Sequence, residues 1–340
     1  MILVTGGAGY IGAVAVRELL ERGFAVRVLD KFLYGGQPLD RIKNQVEIVQ
    51  GDICAFDEAV LDGVQCVVHL AGLSNDPTAE FNPEANTRMN TEATQTLAEA
   101  CKRKGIQRFI FASSCSIYDR GLMAEDVMQD ENSPLEPRAA YATSKYEAER
   151  ILLKLTDKDF QPTLLRQGTV YGWSPRMRYD LVVNSFVKDA FDSKRLTVHC
   201  GGEMWRPLVD VTDVAKCYVA CIEADLGLIG GQIFNLSRSN FRVLELAHWV
   251  KKALKGMVEV GIEVEYGSQR GRSYRVSTRK IETALGFRPA VSVEDSARAM
   301  AQKILEGVNA DFANPRYYNI RWLELLVEIQ AHLKNIGTIF

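Results

Sequence analysis

The pair of residues best suited to proton transfer in this chain is a tyrosine and a lysine four apart, in Tyr141-Ala142-Thr143-Ser144-Lys145. That spacing puts both side chains on one face of a helix. A nearby ammonium lowers the energy of the phenolate, so such a tyrosine can act as general acid or base near neutrality, which a free phenol with a pKa of ~10 cannot. The pair follows the run Phe109-Ile110-Phe111-Ala112-Ser113-Ser114. A serine hydroxyl at the end of such a strand can hydrogen-bond a substrate oxygen whose charge changes during hydride transfer. Alone, Y-x-x-x-K is a weak signal.

A cofactor for that chemistry is suggested at the other end of the chain. Val4-Thr5-Gly6-Gly7-Ala8-Gly9-Tyr10-Ile11-Gly12 lies between a short apolar run and an amphipathic one. Glycines there allow a sharp turn and a close backbone approach to a pyrophosphate, and the following helix N-terminus offers unpaired N–H groups. The spacing is G-x-x-G-x-x-G rather than the G-x-G-x-x-G of the standard dinucleotide fingerprint. Asp30 closes the second apolar run about 18 residues after Gly12, where a carboxylate accepts from a ribose 2′-OH and repels a 2′-phosphate. NAD rather than NADP is therefore expected, with Lys31 beside Asp30 as a solvated neighbour at the rim. Gly51-Asp52-Ile53 and Leu70-Ala71-Gly72 fall at the ends of the third and fourth runs, the edge where ligands sit in doubly wound sheets. Asp52 would also serve as a simple helix cap.

The elements that must hold these groups alternate. Short apolar strands at Ile2–Thr5, Ala25–Asp30, Val46–Gln50, Cys66–Leu70 and Arg108–Ser113 are interleaved with helical stretches at Ile11–Arg22, Thr87–Lys104 and Tyr141–Thr156. This reads as βαβ units around a buried parallel sheet, an α/β fold. After a further strand at Thr163–Arg166 the regularity weakens. We expect a first domain over 1–170 with return elements around 207–237, and a smaller mixed α/β substrate lobe over 171–206 and 238–340. Near the end, Trp322, Leu325, Leu326, Ile329 and Leu333 stand at helical spacing and are expected to pack into a core.

Composition restricts the function classes. With 340 residues, 47% hydrophobic and 25% charged, the chain suits a sizeable folded core. Its net charge of −2 gives no general reason to bind nucleic acid or an anionic membrane. No apolar run approaches ~18 residues and strand-like sequence follows Met1 directly, so a cytoplasmic protein is expected. The seven cysteines are scattered without a C-x-x-C pair, so neither a disulfide framework nor a metal site is expected.

Taken in order, TGGAGYIG, Asp30, GDI, HLAG, FASSCSIY and YATSK resemble the extended short-chain dehydrogenase/reductase family, in its nucleotide-sugar epimerase/dehydratase branch. The resemblance covers essentially the whole chain. It implies a doubly wound (Rossmann) sheet, tightly held NAD and a nucleotide-diphosphate sugar substrate. Ser114, Tyr141 and Lys145 become the catalytic set, with Lys145 also fixing the ribose. Gly6, Gly9, Tyr10, Ile11, Gly12 and Ser113 join the cofactor contacts, together with Asn90, which matches a helix asparagine near the centre of relatives' sites. For the substrate, Arg206 matches a diphosphate-binding arginine, and Arg270, Arg272 and Tyr274 resemble a second such segment. Arg178 and Asn184 lie in a run resembling a substrate loop, and Thr169 stands where asparagine is usual. The resemblance also implies a homodimer through Thr87–Lys104 and Tyr141–Thr156, whose Ala93, Ala98, Ala100, Ala142 and Ala148 permit close approach.

The sequence also departs from the family's pattern. Sugar 4,6-dehydratases carry Asp-Glu after the catalytic Ser/Thr, and this chain has Cys115-Ser116, so the acid that would expel a 6-hydroxyl is missing. Asp119 replaces a usual glycine. Epimerisation is the leading expectation, net dehydrogenation or keto-sugar reduction is the alternative, and an idle NAD-binding regulator is a third reading against which the intact Ser114, Tyr141 and Lys145 speak.

Overall fold

A computed structural model describes residues 1–119, 127–267 and 272–337. The strands are β1 (Ile2–Thr5), β2 (Val26–Asp30), β3 (Glu47–Gln50), β4 (Cys66–His69), β5 (Arg108–Ser114), β6 (Met128–Gln129), β7 (Gln161–Gln167), β8 (Thr169–Tyr171), β9 (Arg195–Val198), β10 (Trp205–Asp210), β11 (Ile233–Leu236), β12 (Ser239–Arg242), β13 (Gly261–Val264) and β14 (Arg275–Val276). The helices are α1 (Gly12–Glu21), α2 (Asp76–Phe81), α3 (Pro83–Thr87), α4 (Ala93–Arg103), α5 (Ala140–Leu155), α6 (Val182–Asp192), α7 (Val211–Glu223), α8 (Leu226–Ile229), α9 (Val243–Ala253), α10 (Arg279–Leu285), α11 (Val293–Leu305) and α12 (Asn319–Ile336).

Seven parallel strands form one sheet in the order β11-β7-β5-β4-β1-β2-β3, a doubly wound α/β fold. Central strands covered on both faces become continuous apolar runs, and all four residues of β1 and of β4 are buried. Strand order reverses between β1 and β4, which opens a crevice at their C-terminal ends. Just below it, Thr5 Oγ1 lies 2.7 Å from His69 Nδ1 and Thr94 Oγ1 lies 2.9 Å from His69 Nε2. Burial pulls His69 down to about 3, so it is a neutral clamp between β1, β4 and α4.

Helix α7 packs on α1, so residues 211–236 return to the first core. A second apolar core gathers Val183, Phe186, Leu246, Val250 and Met300 from α6, α9 and α11. Beside it lies the mixed sheet β12-β10-β8.

Three expectations change. The stretch 87–104 is not one regular helix: Arg88–Glu92 form a π-helical turn between α3 and α4, a feature frequent at functional sites. The five alanines expected at a dimer face are at most 3% exposed, packed inside their own subunit. Third, among the described residues α12 is anchored near its start, where Asn319 is buried and Trp322 Nε1 donates to the Leu33 carbonyl at 2.7 Å. Ile329 and Leu333, expected in a core, are 42% and 37% exposed, because the helix outruns the surface supporting it. Among the described residues no helix is long and apolar enough to cross a membrane.

Candidate active site

The turn from β1 into α1 is built on close backbone contact. Gly6 has φ +72°, and a Cβ there would lie 2.8 Å from the Ala71 nitrogen. At Gly12 a Cβ would meet the Gly6 carbonyl oxygen at 2.1 Å. The loop therefore lies flat against the end of β4 and leaves the N-terminus of α1 open to the crevice. Gly6, Gly9, Asp30, Lys31, Asp52, Ile53, Leu70, Ala71 and Gly72 line one continuous pocket. Tyr10, Ile11 and Gly12 line its extension toward β5.

Asp30 sits at the pocket's far end. Its carboxylate accepts from the Ala8 amide at 2.9 Å and the Phe32 amide at 2.7 Å, which fixes its direction and leaves lone pairs for a diol. Burial nonetheless raises its pKa. Lys31 is held off by an ion pair with Asp52 at 2.7 Å. A glycine cradle that no Cβ would fit, an open helix N-terminus and a carboxylate at the tip of β2 together fit an adenine dinucleotide without a 2′-phosphate.

At the other end stand the tyrosine and lysine of α5. Tyr141 and Lys145 lie one turn apart on α5, as their spacing requires. Burial pushes the Tyr141 phenol up to about 12, opposed by a hydrogen bond with Ser114 and by the nearby charges of Arg178 and Arg272. Burial pulls the Lys145 ammonium down to about 8, with Glu149 opposing. That ammonium lies 4.7 Å from the Phe111 ring centroid. Ser114 Oγ accepts from the Ser116 amide at 3.1 Å.

Other expected residues serve different partners. Ser113 faces the opposite side of β5 and donates to Glu149 Oε1 at 2.5 Å, so its hydroxyl is not a cofactor contact. Glu149 also forms a buried ion pair with Arg166 at 2.7 Å. Asn90 is buried in the π turn: its Oδ1 accepts from the Leu73 amide at 2.8 Å and its Nδ2 donates to Ser144 at 3.1 Å. It ties the loop after β4 to α5. Tyr10 is buried, and its hydroxyl donates to the Gly172 carbonyl at 2.7 Å. The Asn184 amide is consumed by Tyr10, Gly172 and the Arg178 carbonyl, so its side chain holds the lobes together and does not face a substrate. Burial raises the Cys115 thiol, which donates to the Arg166 carbonyl at 3.0 Å.

Around Tyr141 the second lobe supplies Arg206, Arg272 and Tyr274, mutually close enough to perturb one another. Arg206 donates to the Arg272 carbonyl. Arg272 pairs with Asp76 at 2.7 Å and faces Asp119 at 3.8 Å. Arg270 lies outside the described residues, and Thr169 sits on β8 opposite Leu208. Arg178 is gripped by Asp180 through two bonds of 2.9 Å while reaching Ser74 at 3.2 Å. Asp76, Tyr34, Arg176 and Asn319 escaped the sequence reading. Only Arg176, in the same run as Arg178, carried a local signal.

Comparison with known proteins agrees with this geometry. The profile of the NAD dependent epimerase/dehydratase family matches residues 2–237. The chain belongs to that family. As a family member it is an NAD-dependent enzyme of the nucleotide-sugar branch of the extended short-chain dehydrogenases/reductases. It is 30% identical to a dTDP-glucose 4,6-dehydratase of Streptomyces griseus over 88% of this chain and 92% of that protein. It is 31% identical to an uncharacterised UDP-glucose epimerase of Bacillus subtilis over 65% of this chain and 72% of the relative. Among solved structures, that of the dTDP-glucose 4,6-dehydratase of Streptomyces venezuelae with NAD bound superposes with a TM-score of 0.77 and 25% identity, covering 94% of this chain and 99% of that one.

Proposed function

We propose that the enzyme epimerises a nucleotide-diphosphate sugar through a transient keto-sugar. What carries this reading is the union of an intact Ser114, Tyr141 and Lys145 with the absence of a carboxylate at 115 and 116, where dehydratases hold their acids. NAD, when bound, accepts a hydride from the sugar carbon and can return it. Tyr141 takes the hydroxyl proton as the carbonyl forms and gives it back on reduction. Lys145, cationic below about pH 8, favours the phenolate, and Ser114 donates to the developing carbonyl oxygen. Arg206 and Arg272 hold the diphosphate, with Tyr274 beside them. Guanidinium forks suit that group because each donates two hydrogen bonds at once. Arg272 must exchange Asp76 for the phosphate as the substrate enters. The enzyme acts in the cytoplasm, as a homodimer joined through the outer faces of α4 and α5.

The test is product analysis with nucleotide sugars and no added cofactor. An epimer formed without net change in NADH absorbance is expected. Stoichiometric keto-sugar and NADH, with no epimer on long incubation, would replace the epimerase with a net dehydrogenase. Tyr141→Phe should abolish oxidation in either case while NAD binding stays within a few-fold of wild type.

A further inference from the structure

Arg176 follows β8 in the second lobe and is only 6% exposed, yet among the described residues no carboxylate lies within ion-pair reach of it. The nearest acid, Asp180, is already held by both arms of Arg178. Two buried guanidiniums thus stand near one carboxylate, and Arg178 holds it. Arg176 donates to Asn319 Oδ1 and lies 3.9 Å above the Tyr34 ring, while its Nε has no partner. Burial pulls it down to about 10, a sign of how unfavourable the unbalanced charge is here. A buried cation left incomplete by the protein calls for an anion from outside it.

Its position identifies that anion. Arg176 lines the same stretch of crevice as Gly9, Gly12 and the start of α1, and faces them from the opposite lobe. Tyr34, on which it stacks, also lines the pocket that contains Asp30. Arg178 lines this stretch as well, and its charge, with that of Arg272, reaches Tyr141. Arg176 therefore lies between the ribose carboxylate and the proton-transfer group, at the level of the glycine turn.

We propose that Arg176 is a cofactor-binding residue that reaches from the second lobe to the pyrophosphate of NAD, with Tyr34 and Asn319 holding its guanidinium in place. The glycine-turn amides and the α1 N-terminus, worth about half a positive charge, form one wall of the anion site. Arg176 adds a full charge and a hydrogen-bonding fork on the other. The cofactor is then gripped by both lobes.

The experiment is calorimetric titration of nucleotide-stripped protein with NAD, ADP-ribose, adenosine and UDP, for wild type, Arg176→Gln and Arg176→Lys, each checked for folding by thermal melting. Wild-type binding of NAD tests the cofactor assignment separately. For Arg176→Gln the expected result is a loss of ~10- to 100-fold in affinity for NAD and ADP-ribose alike, with adenosine and UDP unchanged. Arg176→Lys should recover part of that loss. If Arg176→Gln does not fold, Arg176→Lys takes its place, and a several-fold loss confined to the two pyrophosphate cofactor ligands supports the proposal. Unchanged NAD affinity in a folded variant, or a loss that falls on UDP and spares NAD, overturns it.

Discussion

Replacing Lys145 by methionine should abolish catalysis and yet stabilise the cofactor-free protein. The ammonium sits at 5% exposure against the Phe111 ring, and among the described residues no carboxylate pairs with it directly. Its pKa falls from 10.5 to about 8 through burial. Each unit is ~1.4 kcal/mol, so holding the charge costs about 3 kcal/mol at pH 7. The folded protein releases this proton near pH 8 and the unfolded chain near 10.5. Between those values the unfolded chain binds more protons, so the stability contributed by this position rises with pH, and below about 8 the whole cost is present. Lys145→Met should therefore exceed wild type by up to ~3 kcal/mol at pH 7, and by less than about half of that at pH 9.5. Urea unfolding at the two pH values measures both gaps. Saturating NAD should narrow the gap at pH 7, because under the proposed assignment wild type binds the cofactor through this residue and the variant does not. A variant less stable than wild type at pH 7, or a gap independent of pH, would refute the reasoning.

Asp30→Ala should bring the Kd values for NADH and NADPH to within a few-fold of each other, since it removes both the acceptor for the 2′-OH and the charge that repels a 2′-phosphate. Fluorescence titration measures both. Glu149→Gln strips the buried Arg166 of its carboxylate and should cost ~3–5 kcal/mol by chemical denaturation. Gly12→Ala drives a methyl group into the Gly6 carbonyl. It should lower NAD affinity at least ~10-fold, read by calorimetry, whereas Gly23→Ala, where a Cβ meets nothing within 4 Å, should leave affinity unchanged.

Most of what the sequence disclosed was local. The turn at Gly6–Gly12, the carboxylate ending β2 and the Tyr141–Lys145 turn each lie within a few residues of the element that presents them. The serine pair shows how far such reasoning reaches. Strand side chains alternate, so only one of Ser113 and Ser114 can face the cleft, and alternation alone would have separated them. What stayed hidden depended on partners distant in sequence. Asn184 reads as an amide free for substrate until Tyr10, 174 residues away, is seen bonded to it. Asp76 joins the site through its ion pair with Arg272 and its charge near Tyr141, both distant in sequence. The π turn forms where Asn90 bonds both Leu73 and Ser144, neither of which local helical spacing can reveal. The overhang of α12 depends on where its supporting surface ends, which the helical periodicity of its apolar residues does not encode.

The bond from Trp322 to Leu33 also bears on how the protein is made. It joins residues 289 apart, and Asn319, one turn earlier, bonds Ser74. At a synthesis rate of roughly 5–20 residues per second, the dinucleotide pocket waits roughly 15–60 s after Leu33 is polymerised before its outer wall exists. During that interval the glycine turn and Asp30 can already be in place, yet a captured nucleotide would lack Arg176 in its final position. Durable cofactor loading is therefore a late event in biogenesis. A ribosome stalled before Asn319 should hold a nascent chain whose sheet is formed and whose nucleotide exchanges freely.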